Sequence, residues 1–241
     1  MKDFLQDLVA HTYALKDLSL VKVKCTGQHV KIESANDTRS VIIQGETKED
    51  IPGLTGEFGL PNLKTLDTLL KCPEYKDAKI TVYYETKNKI STPCGIHFSN
   101  ETDDYHNDYR FMHMALANEK MESLELFNDK WIIDIVPSIA SIQRLQYQAQ
   151  VTPGKTEFQI STENNNLIFK FGNAATHAGK FVFASGINGT LKHALNWPVT
   201  ETIAILNLVG DKTLKLSNNG AMQITVDSGI AVYNYILPAQ S

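Results

Sequence analysis

The sequence predicts an α+β protein built from two similar halves, each with two helices packed on antiparallel sheets. Three observations predict it. The chain has 241 residues, 42% hydrophobic and 21% charged, a globular composition long enough to bury roughly 70–75% of its unfolded surface. Helical and strand-like patterns follow the order helix, strands, helix, strands, and that order occurs twice. The two rounds keep one offset: Asp3 and Pro137, where the first helices open, lie 134 positions apart, and Pro61 and Pro198, where the second ones open, 137 apart.

The first helix is expected over Asp3–Leu15, where Phe4, Leu5, Leu8 and Val9 recur at helical spacing among Gln6, Asp7 and His11. Strands follow at Leu20–Cys25, Val30–Ser34 and Ser40–Gln44, with turn signals at Gly27-Gln28 and Ala35-Asn36-Asp37. The glycines of GLTGEFG, Gly53–Gly59, read as a loop leading into the second helix, Pro61–Cys72. There Pro61 suits the first turn, Leu63, Leu66, Leu69 and Leu70 form the apolar stripe, and Pro73 stops it. Strands at Lys79–Thr86, Cys94–Ser99 and Tyr109–Met114 complete the half. Ala115–Lys130 has no sustained period and reads as a connector. The second half repeats the plan: a strand at Trp131–Val136, a helix at Ser138–Ala149 with Ile139, Ile142 and Leu145 inward, and strands at Glu157–Thr162, Asn166–Phe171 and Lys180–Ser185. Val199–Val209 reads as a helix or a buried strand, and strands at Thr213–Ser217, Ala221–Val226 and Ile230–Leu237 close the chain.

Several function classes are excluded by what the chain lacks. No apolar run approaches the ~18 residues of a membrane span, and Asp3 and Asp7 interrupt the opening apolar pattern, so a soluble, cytoplasmic protein without membrane contact is expected. Cys25, Cys72 and Cys94 are odd in number and lack C-x-x-C spacing, which argues for reduced thiols. The nucleotide, hydrolase and metalloprotease motifs G-x-x-x-x-G-K-[ST], G-x-S-x-G, H-E-x-x-H and G-x-G-x-x-G are missing from the sequence, so no enzyme and no cofactor is expected. His97, Asp103, Asp104, His106 and Asp108 have metal-ligand chemistry, but consecutive aspartates beside Asn100, Thr102 and Asn107 are what an exposed turn uses, and no metal is expected. The N-x-[ST] triplets at Asn36, Asn100 and Asn188 carry no glycosylation signal without a secretory leader.

The basic residues say more than their total. Against 27 acids stand 23 bases, net −4, so contact with a polyanion needs segregated charge. On the second helix Lys64, Thr68 and Lys71 fall at i, i+4 and i+7, opposite the leucines. On the third, Ser141, Arg144 and Gln148 share a face flanked by Gln143 and Gln150, with no acid between Pro137 and Gln150. The first helix offers a weaker version in Lys2, Gln6, His11 and the following Lys16, diluted by Asp3 and Asp7. A single such face is ordinary solvated surface. Repeated on several helices of a duplicated unit, it reads as a surface that touches phosphates without reading bases.

These residues carry a resemblance. GLPNLKTLDTLLKCPEYKDAKITV (Gly59–Val82) resembles the second helix and following strand of sliding clamps, and Asn62-Leu63 through Leu70-Lys71-Cys72 is similar to that helix in the proliferating cell nuclear antigen family. DYRFMHMALA (Asp108–Ala117) resembles the last strand of the family's first domain, VPSIASI (Val136–Ile142) the start of the first helix of its second, and GIAVYNYILPAQ (Gly229–Gln240) its closing strand and tail. Order and spacing match over nearly the whole chain, and the length is most like the processivity clamps of T-even-type tailed bacteriophages.

The resemblance implies a DNA-clamp fold: a first domain over residues 1–116, a connector over 117–130 and a second domain over 131–241. It implies a homotrimeric ring that encircles double-stranded DNA without sequence preference, is placed there by an ATP-dependent clamp loader, and tethers the replicative DNA polymerase. A duplicated β-rich unit leaves open strand edges, and head-to-tail pairing would cover them. By match to the family, the edges are Tyr109–Met114 (Tyr109, Phe111, His113) and Lys180–Ser185 (Lys180, Phe181, Phe183). Lys71 carries over as a DNA-facing cation; Lys2, Lys16, Lys64 and Arg144 join it from the helical wheel. Val199–Val209 departs from the family in having no Lys or Arg, and Lys192, His193 or Lys212 nearby are candidates to compensate. Partner peptides are expected at Leu124 and Leu126 of the connector and Leu237, Pro238 and Ala239 of the tail. Two other readings stand beside this one: a β-rich binding or structural module, such as a phage particle component joined through strand edges, and a hydrolase using His97, His106 or a cysteine.

Overall fold

A computed structural model of the chain describes residues 1–15, 18–25, 29–87, 90–122, 129–173 and 177–240. It divides into two units: Met1–Glu125 with Ser228–Tyr233, and Leu126–Asp227 with Asn234–Ser241. Among the described residues no helix is long and apolar enough to cross a membrane.

The first unit opens with α1 (Lys2–Thr12), continued by a 3₁₀ turn at Tyr13–Leu15, and its Phe4, Leu5, Leu8 and Val9 are buried as their spacing requires. Then come β1 (Leu20–Cys25), β2 (Val30–Ala35), β3 (Ile42–Thr47) and β4 (Gly56–Pro61). Helix α2 (Leu63–Leu70) packs on α1 and buries Leu63, Leu66 and Leu70. After a 3₁₀ turn at Pro73–Tyr75 follow β5 (Lys79–Lys87), β6 (Ile90–Ser99), β7 (His106–Arg110), β8 (Met112–His113) and α3 (Met114–Lys120). The strands pair antiparallel in the orders β8-β4-β1-β2-β3 and β5-β6-β7. The Lys48 N–H donates to the Ile230 carbonyl at 2.9 Å, which ties Ser228–Tyr233 to the end of β3.

Three features of this unit depart from the sequence expectation. The glycine-rich stretch contains a strand, β4, which pairs with β1 from Leu20↔Pro61 to Cys25↔Gly56. Phe58 and Leu60 are its buried residues, and Gly59 is small because a Cβ there would sit 2.9 Å from Leu20 Cδ1. Pro61 consequently ends that strand, and Asn62, in the left-handed region at φ 51°, caps α2 in its place. The stretch expected to be an irregular connector begins with α3, too short for a period to show. What holds α3 is packing: Ala117 and Met121 cluster with Leu20 against Ala35, Met112 and Met114. The strand expected over Tyr109–Met114 is broken into β7 and β8, with Phe111 between them stacked on Phe58 at 3.9 Å.

The second unit contains β9 (Trp131–Ile135), α4 (Ile139–Val151), β10 (Glu157–Glu163), β11 (Asn166–Phe171), β12 (Gly179–Ser185), β13 (Leu195–Pro198), α5 (Val199–Leu206), β14 (Asp211–Ser217), β15 (Ala221–Asp227) and residues 234–238 of β16 (Ala231–Pro238). Its strands run in the orders β12-β11-β10-β13 and β16-β15-β14-β9. Helices α4 and α5 pack on each other as α1 and α2 do. The ambiguous stretch after Pro198 is therefore a helix, and the Thr202 hydroxyl donates back to the Pro198 carbonyl at 2.6 Å.

Helix α4 corrects one sequence assignment. It lies on β12 and β11, and its buried side is Leu145 with Ser141, whose hydroxyl donates to the Phe183 carbonyl at 2.6 Å. That contact turns Ile139 away from the core, leaving it 76% exposed.

A buried polar cluster fixes α1 in the first unit. Asp7 Oδ2 accepts from the Ser228 hydroxyl at 2.9 Å and the Tyr233 hydroxyl at 2.8 Å, and its Oδ1 lies 3.2 Å from His11 Nδ1. The His11 ring stacks on Tyr233 at 4.6 Å. Burial alone would push the Asp7 carboxyl up, but hydrogen bonds from His11, Tyr233 and Ser228 and the His11 charge outweigh it and hold the group below its ordinary value. A carboxyl depressed in the folded state stabilises above its unfolded pKa, and that contribution is lost as the pH falls. Asp7→Ala is expected to cost about 1–3 kcal/mol at pH 7. Urea midpoints of variant and wild type are expected to converge as the pH drops below about 4; an equal gap at both pH values would contradict the assignment.

Candidate functional site

In the first unit the helix faces turned from the core divide unevenly. α2 exposes Lys64, Thr65, Thr68 and Lys71, because Leu63, Leu66 and Leu70 take its inner side. The Thr68 hydroxyl satisfies the Lys64 carbonyl at 2.8 Å, and Lys71 Nζ lies 2.8 Å from Asp67, so the second cation is half-compensated on its own helix. α1 exposes Asp3, Gln6 and Ala10. Lys2 is half-buried and its ammonium donates to the carbonyls of Tyr75 and Lys76, at 2.5 Å to the latter. It thus fastens the start of α1 to the turn after α2. Lys16 lies outside the described residues.

In the second unit α4 exposes Arg144 with Gln143, Tyr147 and Gln150. Of the stripe expected from the sequence, Ser141 is buried and Gln148 is half-buried against Gly179, where a Cβ would overlap its amide. Tyr147, outside the stripe expected from the sequence, takes the outer position and is 69% exposed. On α5 the exposed groups are Thr200 and, at its C-cap, Asn207, which accepts from Gln146 Nε2. Lys192 and His193 are exposed in the loop before β13, where the Lys192 N–H donates to Asn218 Oδ1 at 2.9 Å. Lys212 is half-buried, donates to the Gly210 carbonyl at 2.8 Å, and has its ammonium pushed down by burial against the opposing pull of Asp211.

The two strand edges are both present. β7 ends the sheet β5-β6-β7 and β12 ends the sheet β12-β11-β10-β13. On β7 the Tyr109 side chain points into its own unit, where its hydroxyl donates to the Pro61 carbonyl and burial pushes the phenol up. Phe111 and His113 are held by internal contacts, Phe111 on Phe58 and His113 as the N-cap of α3. On β12 Phe183 stacks on Phe169 at 4.1 Å, Phe181 meets the same ring edge-on, and Lys180 pairs with Glu163 at 2.6 Å. The side chains at both edges thus serve their own units, while the outward backbone of each strand faces away from its sheet.

Leu124 and Leu126 lie outside the described residues. Leu237 is fully buried, Pro238 exposed and Ala239 half-buried, its N–H donating to the Gly220 carbonyl at 2.7 Å. A cavity of about 560 Å³ opens elsewhere in the first unit, between the end of α3 and the β2–β3 turn, with Leu20, Ala35 and Met121 as apolar lining and Arg39 and Glu122 paired at 3.1 Å. Its trace in the connector sequence is Met121, set among Glu119, Lys120 and Glu122.

The histidine–aspartate stretch spans the β6–β7 hairpin, with His97 on β6, Asp103 and Asp104 in the loop, and His106 and Asp108 on β7. His97 pairs with Asp108 at 2.8 Å, and Asp104 accepts from Asn100 and Thr102. These carboxylates are engaged within the hairpin, and among the described residues no group of three or more potential ligands converges on one point. On β1, Lys22 is fully buried opposite Glu33 and Gly59, and its ammonium has no hydrogen-bond partner among the described residues.

No family model matches the chain, and no curated protein matches it. Solved structures do. The proliferating cell nuclear antigen of A. fulgidus, bound to the C-terminal region of FEN-1, superposes with a TM-score of 0.70 at 10% identity, covering 100% of this chain and 96% of that one. Those of Thermococcus kodakaraensis (TM-score 0.67, 11% identity, 100% and 97%) and Entamoeba histolytica (0.71, 12%, 100% and 96%) agree. The chain therefore has the fold of these clamps over its full length.

Lys2 makes a stability assignment testable. Lys2→Met is expected to destabilise the protein by about 1.5–3 kcal/mol, the range for hydrogen bonds to a charged group, measured as a lower urea midpoint. An unchanged midpoint would show that the two carbonyl contacts contribute nothing.

Proposed function

We propose that this chain is a sliding clamp: three copies close head to tail around duplex DNA, are loaded by an ATP-dependent clamp loader, and tether the replicative DNA polymerase, as in T-even-type phages. The observation that carries the reading is the likeness of fold over the whole chain to proliferating cell nuclear antigens. Two open strand edges, β7 and β12, support it, because a contact between unlike edges of two copies is heterologous and closes into a ring when the rotation is right. The proposed interface comprises Tyr109, Phe111 and His113 on one side and Lys180, Phe181 and Phe183 on the other, with the outward backbone making the contact.

Charge supports it as well. Three copies at −4 carry −12 in total, which discourages indiscriminate sticking to DNA, while Lys64, Lys71 and Arg144 provide a few exposed cations on helices. A sliding ring needs such a weak, sequence-blind attraction, since strong or base-specific contacts would stop it. Lys16 and Lys192 are proposed as secondary DNA contacts; Lys2 is chiefly a structural tie. For partners, a neighbour of this fold holds the C-terminal region of FEN-1, and we propose that an apolar peptide partner binds this chain too, with Leu124 and Leu126 of the connector and Leu237, Pro238 and Ala239 of the tail as candidate contacts.

The decisive experiment compares topologies. Loaded protein is expected to remain on nicked circular DNA and to be lost when the circle is linearised; equal retention on both would refute the clamp and favour a β-rich structural module. In solution the particle is expected near 81 kDa, three times 26.9 kDa. Lys71→Glu combined with Arg144→Glu is expected to lower polymerase processivity several-fold without changing that mass, and unchanged processivity would remove both residues from the DNA-facing surface.

A further inference from the structure

The two units differ at one sheet edge. In the second, β14, the first strand after α5, has a neighbour on each side, β15 and β9. Strand β9 runs antiparallel to it, with Leu214 opposite Ile135 and Leu216 opposite Ile133. Leu214, Leu216 and Ile133 are all fully buried, and between them the Lys215 ammonium stands 3.4 Å from the Asp134 carboxylate. In the first unit β5, the first strand after α2, has β6 on one side and, among the described residues, no strand on the other.

The side chains of β5 reflect that difference. Ile80 and Val82 lie opposite Phe98 and Ile96 of β6, which are fully buried. Yet Ile80 and Val82 are only half-buried, and Tyr84, next in the same row, is 38% exposed. All three line a cavity of about 580 Å³, together with Met1 and Pro52. The Tyr84 hydroxyl lies 3.0 Å from that of Thr55, which fixes the ring as part of the cavity wall. Lys79, at an alternate position and so on the other face of the strand, is exposed.

We propose that β5 is a docking edge for an extended segment of a partner protein, which adds antiparallel as a fourth strand of the sheet β5-β6-β7. Its apolar side chains, at alternate positions, fill the cavity over Ile80, Val82 and Tyr84, and an acidic residue between them faces the side of Lys79. The chain itself shows the chemistry that fits, because β9 holds the equivalent edge of β14 with Ile133 and Ile135 inward and Asp134 paired to Lys215. Main-chain hydrogen bonds supply the attraction in such a pairing, and pockets for alternate side chains supply the selectivity. An edge with an uncovered apolar row is otherwise a liability. The precedent within the chain joins unlike strands, which favours a foreign segment over a second copy of β5. Neither ring closure nor DNA contact is needed for this docking.

The probe is a labelled peptide with the β9 sequence, Lys130–Pro137, titrated into the intact chain and followed by anisotropy and by amide hydrogen exchange. Exchange of the outward amides of β5 is expected to slow at least about tenfold once the peptide saturates, as a free edge becomes paired. A peptide carrying Ile133→Ser and Ile135→Ser is expected to give no protection. In the protein, Val82→Asp is expected to weaken binding at least about tenfold, since the added strand would bury an unpaired carboxylate. Lys79→Glu, at an exposed position that does not disturb folding, is expected to weaken it about two- to fivefold, the range of a cross-strand charge pair, and carries the test if Val82→Asp fails to fold. Unchanged exchange in β5, protection confined to another edge, or equal binding by wild type and Lys79→Glu would overturn the proposal. Protection of β5 that rises with protein concentration in the absence of peptide would make the occupant a second copy and overturn it as well.

Discussion

A strand at the end of a sheet has one row of backbone N–H and C=O groups facing its neighbour and a second row facing outward. In both units of this chain that outward row is presented by a strand whose side chains are already committed to the core or to its own sheet: Tyr109 on β7 reaches the Pro61 carbonyl, and Phe183 on β12 stacks on Phe169. An edge of this kind offers its partner main chain rather than side chain. The proposed assembly depends on that property, because main-chain pairing between two unlike edges sets direction and register without large complementary patches.

The helices obey a second constraint, the division of each cylinder into a packed and an open side. In α2 the leucines decide it, and the open side holds Lys64, Thr65, Thr68 and Lys71. In α4 the decision falls to Leu145 and to a serine, since the hydrogen bond from Ser141 to the Phe183 carbonyl seats the helix on β12. The open side is therefore sparsely charged and partly apolar, with Ile139 and Tyr147 exposed. Such surfaces attract a polyanion weakly, as the proposed sliding along DNA requires.

Polar groups buried in the first unit serve position rather than chemistry. Asp7 gathers Ser228, Tyr233 and His11 around one carboxylate, joining α1 to a stretch more than two hundred residues later. Lys2 does the same over a shorter range by holding the carbonyls that end the turn after α2. A network with its donors and acceptors paired specifies one arrangement of elements more sharply than apolar contact does.

The sequence by itself determined the α+β class, the doubled order of elements and most strand positions, because Phe4, Leu5, Leu8 and Val9 at helical spacing, or Val21 and Val23 alternating, leave one face to bury. It also held the exposed cations Lys64 and Lys71 at α2 and Arg144 on α4. Tertiary structure decided the rest, for identifiable reasons. β4 was hidden because its glycines serve close packing, Gly59 at Leu20 and Ala117 and Gly56 at Pro93, rather than strand propensity. α3 was hidden because seven residues hold too little period and are stabilised from outside. Lys22 reads as an outward residue on an alternating strand, yet it is fully buried, on the same side of β1 as Leu20, against which Ala117 and Met121 cluster. Whether a given lysine holds a carbonyl, an aspartate or open solvent depends on residues far away in the chain, and local pattern carries no record of them.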